Sequence, residues 1–255
     1  MLFNRIHNIS MIVGIIPARY ESSRFPGKPL IDIKGKTMIQ RVVERAKQSK
    51  HLSDVVVATD DARIYDHVIS LGAKVVMTSP DHPSGTDRCY EALTKLNRSY
   101  KYVINIQGDE PMLEPEQIDE LAKVLMDEEV ELATQIATVD DAETLWSEGE
   151  VKVVLNDKEE ALYFSRSVIP YIKNKPKEEW HLHHPYWRHV GMYAYRADVL
   201  EKLIKLPLAS LEKAESLEQL RWLQAGFAIK CVPTEYNSYC VDTPEDLTAI
   251  LPMIS

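Results

Sequence analysis

Three fixed positive charges, Arg19, Arg24 and Lys28, follow an apolar run near the start of the chain in Pro17-Ala18-Arg19-Tyr20-Glu21-Ser22-Ser23-Arg24-Phe25-Pro26-Gly27-Lys28. Arginine presents a planar fork of donors to phosphate oxygens and lysine a compact point charge. With the Ser22 and Ser23 hydroxyls and a Pro-Gly turn, this loop suits a polyphosphate. A solvated loop would carry similar residues, but these come directly after Ile12, Val13, Ile15 and Ile16 instead of along a helix face. No Gly-Lys-Ser/Thr follows at Walker spacing and no Gly-x-Gly-x-x-Gly fingerprint is present, so a different phosphate-handling design is expected.

A second candidate is Gln107-Gly108-Asp109-Glu110-Pro111, which follows the apolar Tyr102 to Ile106. A carboxylate at the end of a buried strand, beside a phosphate-collecting loop, is where a magnesium ligand would stand, because Mg²⁺ is usually held by one or two carboxylates together with substrate phosphates. Asp109 is that ligand; capping of the next helix is the plainer use of Asp109 and Glu110. Asp242, in Val241-Asp242-Thr243-Pro244-Glu245-Asp246, is placed either as a second metal carboxylate or as a helix cap, and spacing alone does not choose. Ser84-Gly85-Thr86-Asp87-Arg88 opens a helix and can offer amides and hydroxyls to a base edge or phosphate, or simply cap the helix.

A fifth set is downstream. Arg166 could pair with a substrate carboxylate, and His189, Tyr193, Glu218 and Gln219 carry polar groups suited to sugar hydroxyls. Each alone reads as structural; together in one cleft they would hold a hydroxyl-rich ligand. His181, His183 and His184 have no acidic or cysteine partner at fixed spacing and are left unassigned.

The elements that must position these groups alternate. Ile12–Ile16, Asp54–Thr59, Lys74–Met77, Tyr102–Ile106 and Glu131–Ala137 read as strands. Helices are expected after Thr37 (Met38, Ile39, Val42, Val43, Ala46), over Asp61–Leu71 closed by Gly72, and over Glu114–Met126 started by Pro115. The alternation predicts a doubly wound α/β sheet, whose ligands sit beyond the carboxyl ends of the strands. Strands follow at Val151–Leu155 and Ala161–Phe164, then a long aromatic and histidine-rich loop from Tyr171 to His189. A strand at Val190–Tyr195, helices at Ala197–Ile204 and Leu211–Gln224, a strand at Ile229–Val232 and a helix from Pro244 complete the pattern. One domain over 1–255 is expected, with about 151–195 as an inserted sub-region for sugar binding and dimer contact.

The chain has 255 residues, 45% apolar and 27% charged, with a formal charge of -9. That length suits one large domain. The acidic balance argues against nucleic-acid binding, so the basic loop stands out as a site for a small anion. Cys89, Cys231 and Cys240 are odd in number and widely spaced, which fits neither a disulfide framework nor zinc spacing and points to a reducing compartment. No apolar segment approaches the roughly 20 residues a membrane helix needs, and residues 1–10 read as a flexible extension without a signal-peptide core. A cytoplasmic protein without membrane insertion is expected.

Taken together, Ile16-Pro17-Ala18-Arg19-Tyr20, Arg24-Phe25-Pro26-Gly27-Lys28-Pro29-Leu30, Ala58-Thr59-Asp60, Ser84 to Arg88, Gln107 to Pro111, Ala161 to Arg166, Arg188-His189, Leu217-Glu218-Gln219-Leu220-Arg221 and Val241 to Asp246 closely resemble the 3-deoxy-manno-octulosonate cytidylyltransferase (CMP-Kdo synthetase) family, collinearly from about Ile12 to Leu251. The resemblance implies a Rossmann-like nucleotide-diphospho-sugar transferase fold, mostly parallel, a homodimer, Mg²⁺ as cofactor, and transfer of CMP from CTP to the eight-carbon sugar acid Kdo for lipopolysaccharide synthesis. It implies that Arg19 and Lys28 act on the triphosphate and that Pro17, Ala18, Arg24, Ser84, Gly85, Thr86, Arg88, Gln107 and Asp109 line the CTP site. It further implies that Asp109 and Asp242 bind the metal, and that Arg166, His189, Tyr193, Glu218 and Gln219 bind the sugar. Asp87 stands where many members have Glu, and Cys240 where Gly is usual. The alternatives are a cytidylyltransferase for 8-amino-Kdo or sialic acid, a uridylyl- or guanylyltransferase differing near Ser84 to Arg88, and a non-catalytic nucleotide-binding protein.

Overall fold

The computed structural model describes residues 11–21, 24–236 and 239–254. Ser22, Ser23 and the extension at residues 1–10 lie outside the described residues. In chain order the elements are β1 (Ile12–Ala18), β2 (Asp32–Ile33), β3 (Lys36–Thr37), α1 (Met38–Ala46), β4 (Asp54–Thr59), α2 (Ala62–Ser70), β5 (Lys74–Met77), α3 (Gly85–Lys95), β6 (Tyr102–Asn105), α4 (Pro115–Val124) and β7 (Leu132–Val139). They continue as α5 (Ala142–Trp146), β8 (Lys152–Leu155), β9 (Ala161–Ser165), α6 (Trp180–His183), β10 (Tyr186–Arg196), α7 (Ala197–Leu203), α8 (Ser210–Glu215), α9 (Gln219–Gln224), β11 (Lys230–Pro233) and α10 (Pro244–Ile250).

The main sheet runs β11-β7-β10-β6-β1-β4-β5, with β8 and β9 added beside β10. β1 lies at its heart, parallel to β4 and β6, and β4–β5 and β11–β7 are parallel too. Both faces of β1 are buried because helices cover both, and successive side chains point to opposite faces. Val13 and Ile15 therefore join the core beneath α3, α7 and α9 (Cys89, Ala92, Val199, Leu203, Trp222), while Ile12 and Ile16 join the one beneath α1 and α4 (Val42, Val43, Ile118, Leu121). Each such Val or Ile gains about 1.5–3 kcal/mol by full burial, which fixes the strand and hence the place where its carboxyl end delivers the basic loop.

The expected strands and caps are present. Thr37 accepts from the Gln40 amide, Asp61 caps α2, Gly72 ends it with φ 65, and Pro115 opens α4. The sheet is mostly parallel as expected, with β10 running antiparallel between β6 and β7. Three details differ from the sequence reading. β10 starts at Tyr186, not Val190, since Tyr186 to Val190 pair with Val139 to Gln135; the long loop is thereby shortened and also holds α6. A small hairpin, β2–β3, turns through Lys34 and Gly35, both at positive φ. The single helix expected over Leu211–Gln224 is two, broken at Ser216 in the left-handed region with φ 53. The cause is a distant partner: the Glu215 carbonyl, which would continue the helix, accepts instead from Arg166 Nε at 2.8 Å.

Candidate active site

The site forms where the carboxyl ends of β1 and β6 lie side by side, locked by the Ile106 amide donating to the Ile15 carbonyl at 2.9 Å. The segment after β6 then crosses the end of β1 so closely that a Cβ on Gly108 would fall 2.7 Å from the Pro17 carbonyl oxygen. Only glycine permits that approach. The basic loop is closed by the Gly27 amide donating to the Tyr20 carbonyl at 2.9 Å, with Gly27 at φ 72. This closure aims Lys28 at Asp109.

Lys28 Nζ donates to Asp109 Oδ2 at 2.8 Å and to Asp242 Oδ1 at 3.2 Å, and Arg24 Nη1 meets Asp242 Oδ2 at 3.0 Å. Burial alone would lower the Lys28 pKa, but the charge and hydrogen bond of Asp109, with Asp242 beyond it, carry it above the ordinary lysine value. Neither aspartate is spent on a helix. The cap of α10 is Thr243, whose hydroxyl accepts from the Asp246 amide, and the cap of α4 is Glu114. The Asp242 segment is tied to the Asp109 loop by the Val241 amide donating to the Asp109 carbonyl at 2.9 Å.

A lysine ammonium is held between two carboxylates, a donor set that fits a hard cation sharing its ligands with phosphate. Asp109, Cys240 and Asp242 offer ligand atoms all within 4.8 Å of one another, and among the described residues this is the one such group of three. His183 instead faces Glu179 at 3.4 Å and His184 packs on Tyr186.

At the start of α3, Ser84 accepts from the Asp87 amide at 3.2 Å and donates to Asp87 Oδ2 at 2.6 Å, so the capping chemistry is in use. Gly85 packs against the Pro17 ring, 3.4 Å from where its Cβ would be, which brings this terminus to the end of β1. Gln107 Nε2 donates to the Gly191 carbonyl at 2.5 Å, and Arg19 donates to the His82 carbonyl. Burial, with Arg88 nearby, holds Arg19 below the ordinary arginine value; at so high a starting point it remains charged. Arg88, expected to line the CTP site, has a side chain that is 0% exposed, and its guanidinium donates to Asp60 at 2.8 Å and to Thr78. Arg88 positions α3 against the end of β4.

The downstream set also gathers. His189 lies in β10 with its ring 5.2 Å from Tyr193 and 5.3 Å from Phe164, and Tyr193 packs on Trp222 at 5.0 Å. Thr134 donates to the Met192 carbonyl at 2.8 Å, so at 2.9 Å it accepts from His189 Nε2, which assigns the proton to Nε2 and leaves Nδ1 an acceptor. Burial, with Arg188 adding, presses the His189 pKa down to about 4. The Tyr193 hydroxyl is buried without a hydrogen-bond partner among the described residues. Glu218 Oε2 accepts from Thr86 at 2.7 Å, which joins this set to α3, and burial lifts the Glu218 pKa against the pull of Thr86 and Ser84. Gln219 is buried beside it on α9. Arg166 stands apart in its bonding: Nε and Nη1 donate to the carbonyls of Glu215 and Glu148 at 2.8 and 3.0 Å.

Residues to which the sequence reading gave no site role are Asp60, Thr134, Glu215 and Cys240. Asp60 ends a strand, as Asp109 does, and that position was its signal. Glu215 accepts from the Ser165 hydroxyl and the Arg166 amide across about fifty positions, and nothing local marks it.

The profile of the cytidylyltransferase family matches residues 13–230. A 3-deoxy-manno-octulosonate cytidylyltransferase of Cytophaga hutchinsonii is 52% identical over 95% of this chain and 97% of its own length. One of Bdellovibrio bacteriovorus is 46% identical over 96% and 98%. The solved structure of a CMP:2-keto-3-deoxy-manno-octonic acid synthetase complexed with CTP superposes with a TM-score of 0.88 at 44% identity, covering 95% of this chain and 97% of that one. At 13% identity, a 4-diphosphocytidyl-2C-methyl-D-erythritol synthase of Anaerococcus prevotii shares the fold with a TM-score of 0.64.

Proposed function

This chain belongs to the 3-deoxy-manno-octulosonate cytidylyltransferases, and on that premise we propose that it transfers CMP from CTP to the anomeric hydroxyl of Kdo, releasing pyrophosphate. The observation that carries the chemistry is the pair Asp109 and Asp242, held together opposite Lys28 and Arg24 at the carboxyl edge of the sheet. Two carboxylates and two cations balance one another in the free protein. A triphosphate disturbs that balance by drawing the cations to itself and leaving the aspartates free for Mg²⁺, the cofactor we assign to them. When bound, that ion neutralises phosphate charge and lowers the pKa of the attacking hydroxyl.

The protein's own share is positioning and charge. Lys28 turns from the carboxylates to the triphosphate and, with Arg19, stabilises the charge that develops on the departing pyrophosphate. The loop from Pro17 to Arg24, the start of α3 at Ser84 to Thr86, and Gln107 surround the nucleotide. His189 enters uncharged, so its Nδ1 accepts from a sugar hydroxyl without placing a proton in the pocket. Tyr193, Glu218 and Gln219 supply the remaining polar contacts, and Arg166 meets the sugar carboxylate. The Thr86–Glu218 hydrogen bond joins the two halves of the site.

We place the enzyme in the cytoplasm, where CTP is made, and as a homodimer through the 151–195 region. Support for the dimer is the exposure of Leu162, Tyr171 and Leu182 in that region, at 60%, 72% and 70%. No helix among the described residues is long and apolar enough to cross a membrane. The function is tested by pyrophosphate release with a panel of nucleoside triphosphates against Kdo, 8-amino-Kdo and sialic acid. CTP with Kdo is expected to give the highest kcat/KM; no release with CTP and any sugar acid rejects the reading.

A further inference from the structure

We propose that Cys240 adds a sulfur ligand to the Asp109–Asp242 site, so that the site also takes a thiophilic divalent cation of the zinc class, in competition with the hard cation of catalysis. The inference rests on the reading of Asp109 and Asp242 as metal ligands. Cys240 is exposed, and its sulfur shares with one oxygen of each aspartate a cluster no wider than 4.8 Å. Ligand atoms on one tetrahedral zinc stand roughly 3.3–3.7 Å apart, given Zn–S of about 2.3 Å and Zn–O of about 2.0–2.2 Å, so side-chain rotations of about 1 Å close the set.

The backbone already holds the three in register. The Val241 amide donates to the Asp109 carbonyl, which clamps the residues on either side of Val241 onto the Asp109 loop. Lys28 bonded to both carboxylates marks where positive charge sits in this cluster. Oxygen ligands alone suit Mg²⁺, whereas a thiolate shifts preference toward zinc and its analogues. On binding, the sulfur–hydrogen bond breaks, its proton leaves to solvent and a sulfur–metal bond forms without change of oxidation state. Water completes the coordination, and Lys28 is displaced from the carboxylates. Cys89 and Cys231 are buried, so sulfur ligation by a surface ion is left to Cys240.

The test uses the full-length, nucleotide-free protein with Co²⁺ as the optical probe and Mn²⁺ as the hard one. Wild type is expected to develop a thiolate-to-cobalt charge-transfer band in the near ultraviolet that Zn²⁺ abolishes. Cys240→Ser and Cys240→Ala should both lose the band and bind Zn²⁺ at least about tenfold more weakly, while Mn²⁺ affinity stays within about twofold. Asp109→Asn should weaken both metals. Mn²⁺ binding without a cobalt band, or a band that survives in Cys240→Ser, overturns the role of Cys240 and leaves the aspartates intact. Failure of wild type to bind Co²⁺ or Zn²⁺ overturns the thiophilic site, and failure to bind Mn²⁺ even with CTP present overturns the aspartate reading as well.

Discussion

Replacing Asp60 by Ala separates a positioning role for Arg88 from direct contact with the nucleotide. The Arg88 side chain is 0% exposed, its Nε has no hydrogen-bond partner among the described residues, and its charge is balanced by Asp60 at 2.8 Å. Removing the carboxylate strands a buried guanidinium, which costs about 3–5 kcal/mol. At about 2–4 °C per kcal/mol for a chain of this size, the expected fall in Tm is ~6–20 °C. Arg88→Met on the Asp60→Ala background removes the stranded charge and should recover stability to within about 2 kcal/mol of wild type. Thermal and urea unfolding read the stability, and the KM for CTP of the double variant reads the role. A double variant that binds CTP near normally fits a residue that steadies α3 from behind. An Asp60→Ala variant that melts within about 2 °C of wild type, or a double variant that is stable yet blind to CTP, refutes the reasoning.

His189 gives a pH signature: its pKa is about 4 when folded against 6.5 when free. The unfolded chain therefore takes up the proton first, so the stabilisation is complete above pH 6.5 and is lost as pH falls toward 4, by about 3 kcal/mol in all. Urea unfolding across that window should show this slope in wild type and not in His189→Gln; parallel profiles would contradict the burial. Gly108→Ala forces a methyl against the Pro17 carbonyl and should lower stability by about 1–3 kcal/mol and raise the KM for CTP, read by calorimetry and kinetics; an unchanged enzyme would deny the close crossing. Asp242→Asn should lose turnover at unchanged Tm while CTP binding persists, as measured by pyrophosphate release and calorimetric titration.

The central strand and the cations after it were legible because a β-branched run, a turn and a charge cluster are all local signals. Asp109 was legible for the same reason: it follows its strand directly. Asp242 was not, since spacing left it between metal and cap, and the resemblance supplied the choice. The structure explains the ambiguity, as Thr243 next to it takes the cap and frees the aspartate. Arg88 stands beside a phosphate-type helix start, where a charge looks functional, and only the fold shows it turned inward to Asp60. The break at Ser216 and the start of β10 at Tyr186 depend on partners far away in sequence, Arg166 in one case and β7 in the other. Periodicity cannot report such partners.

We assign nucleotidyl transfer from CTP to Kdo to the one centre in which Asp109 and Asp242 stand opposite Lys28 and Arg24. That assignment is tested most directly by incubating the protein with CTP, Kdo and Mg²⁺ and following pyrophosphate while identifying the sugar product by mass, for wild type and Asp109→Asn side by side. Equimolar pyrophosphate and CMP-Kdo are expected from wild type, and neither from a folded Asp109→Asn. Near-normal turnover in Asp109→Asn, or pyrophosphate that appears without a CMP-Kdo product, would contradict the assignment.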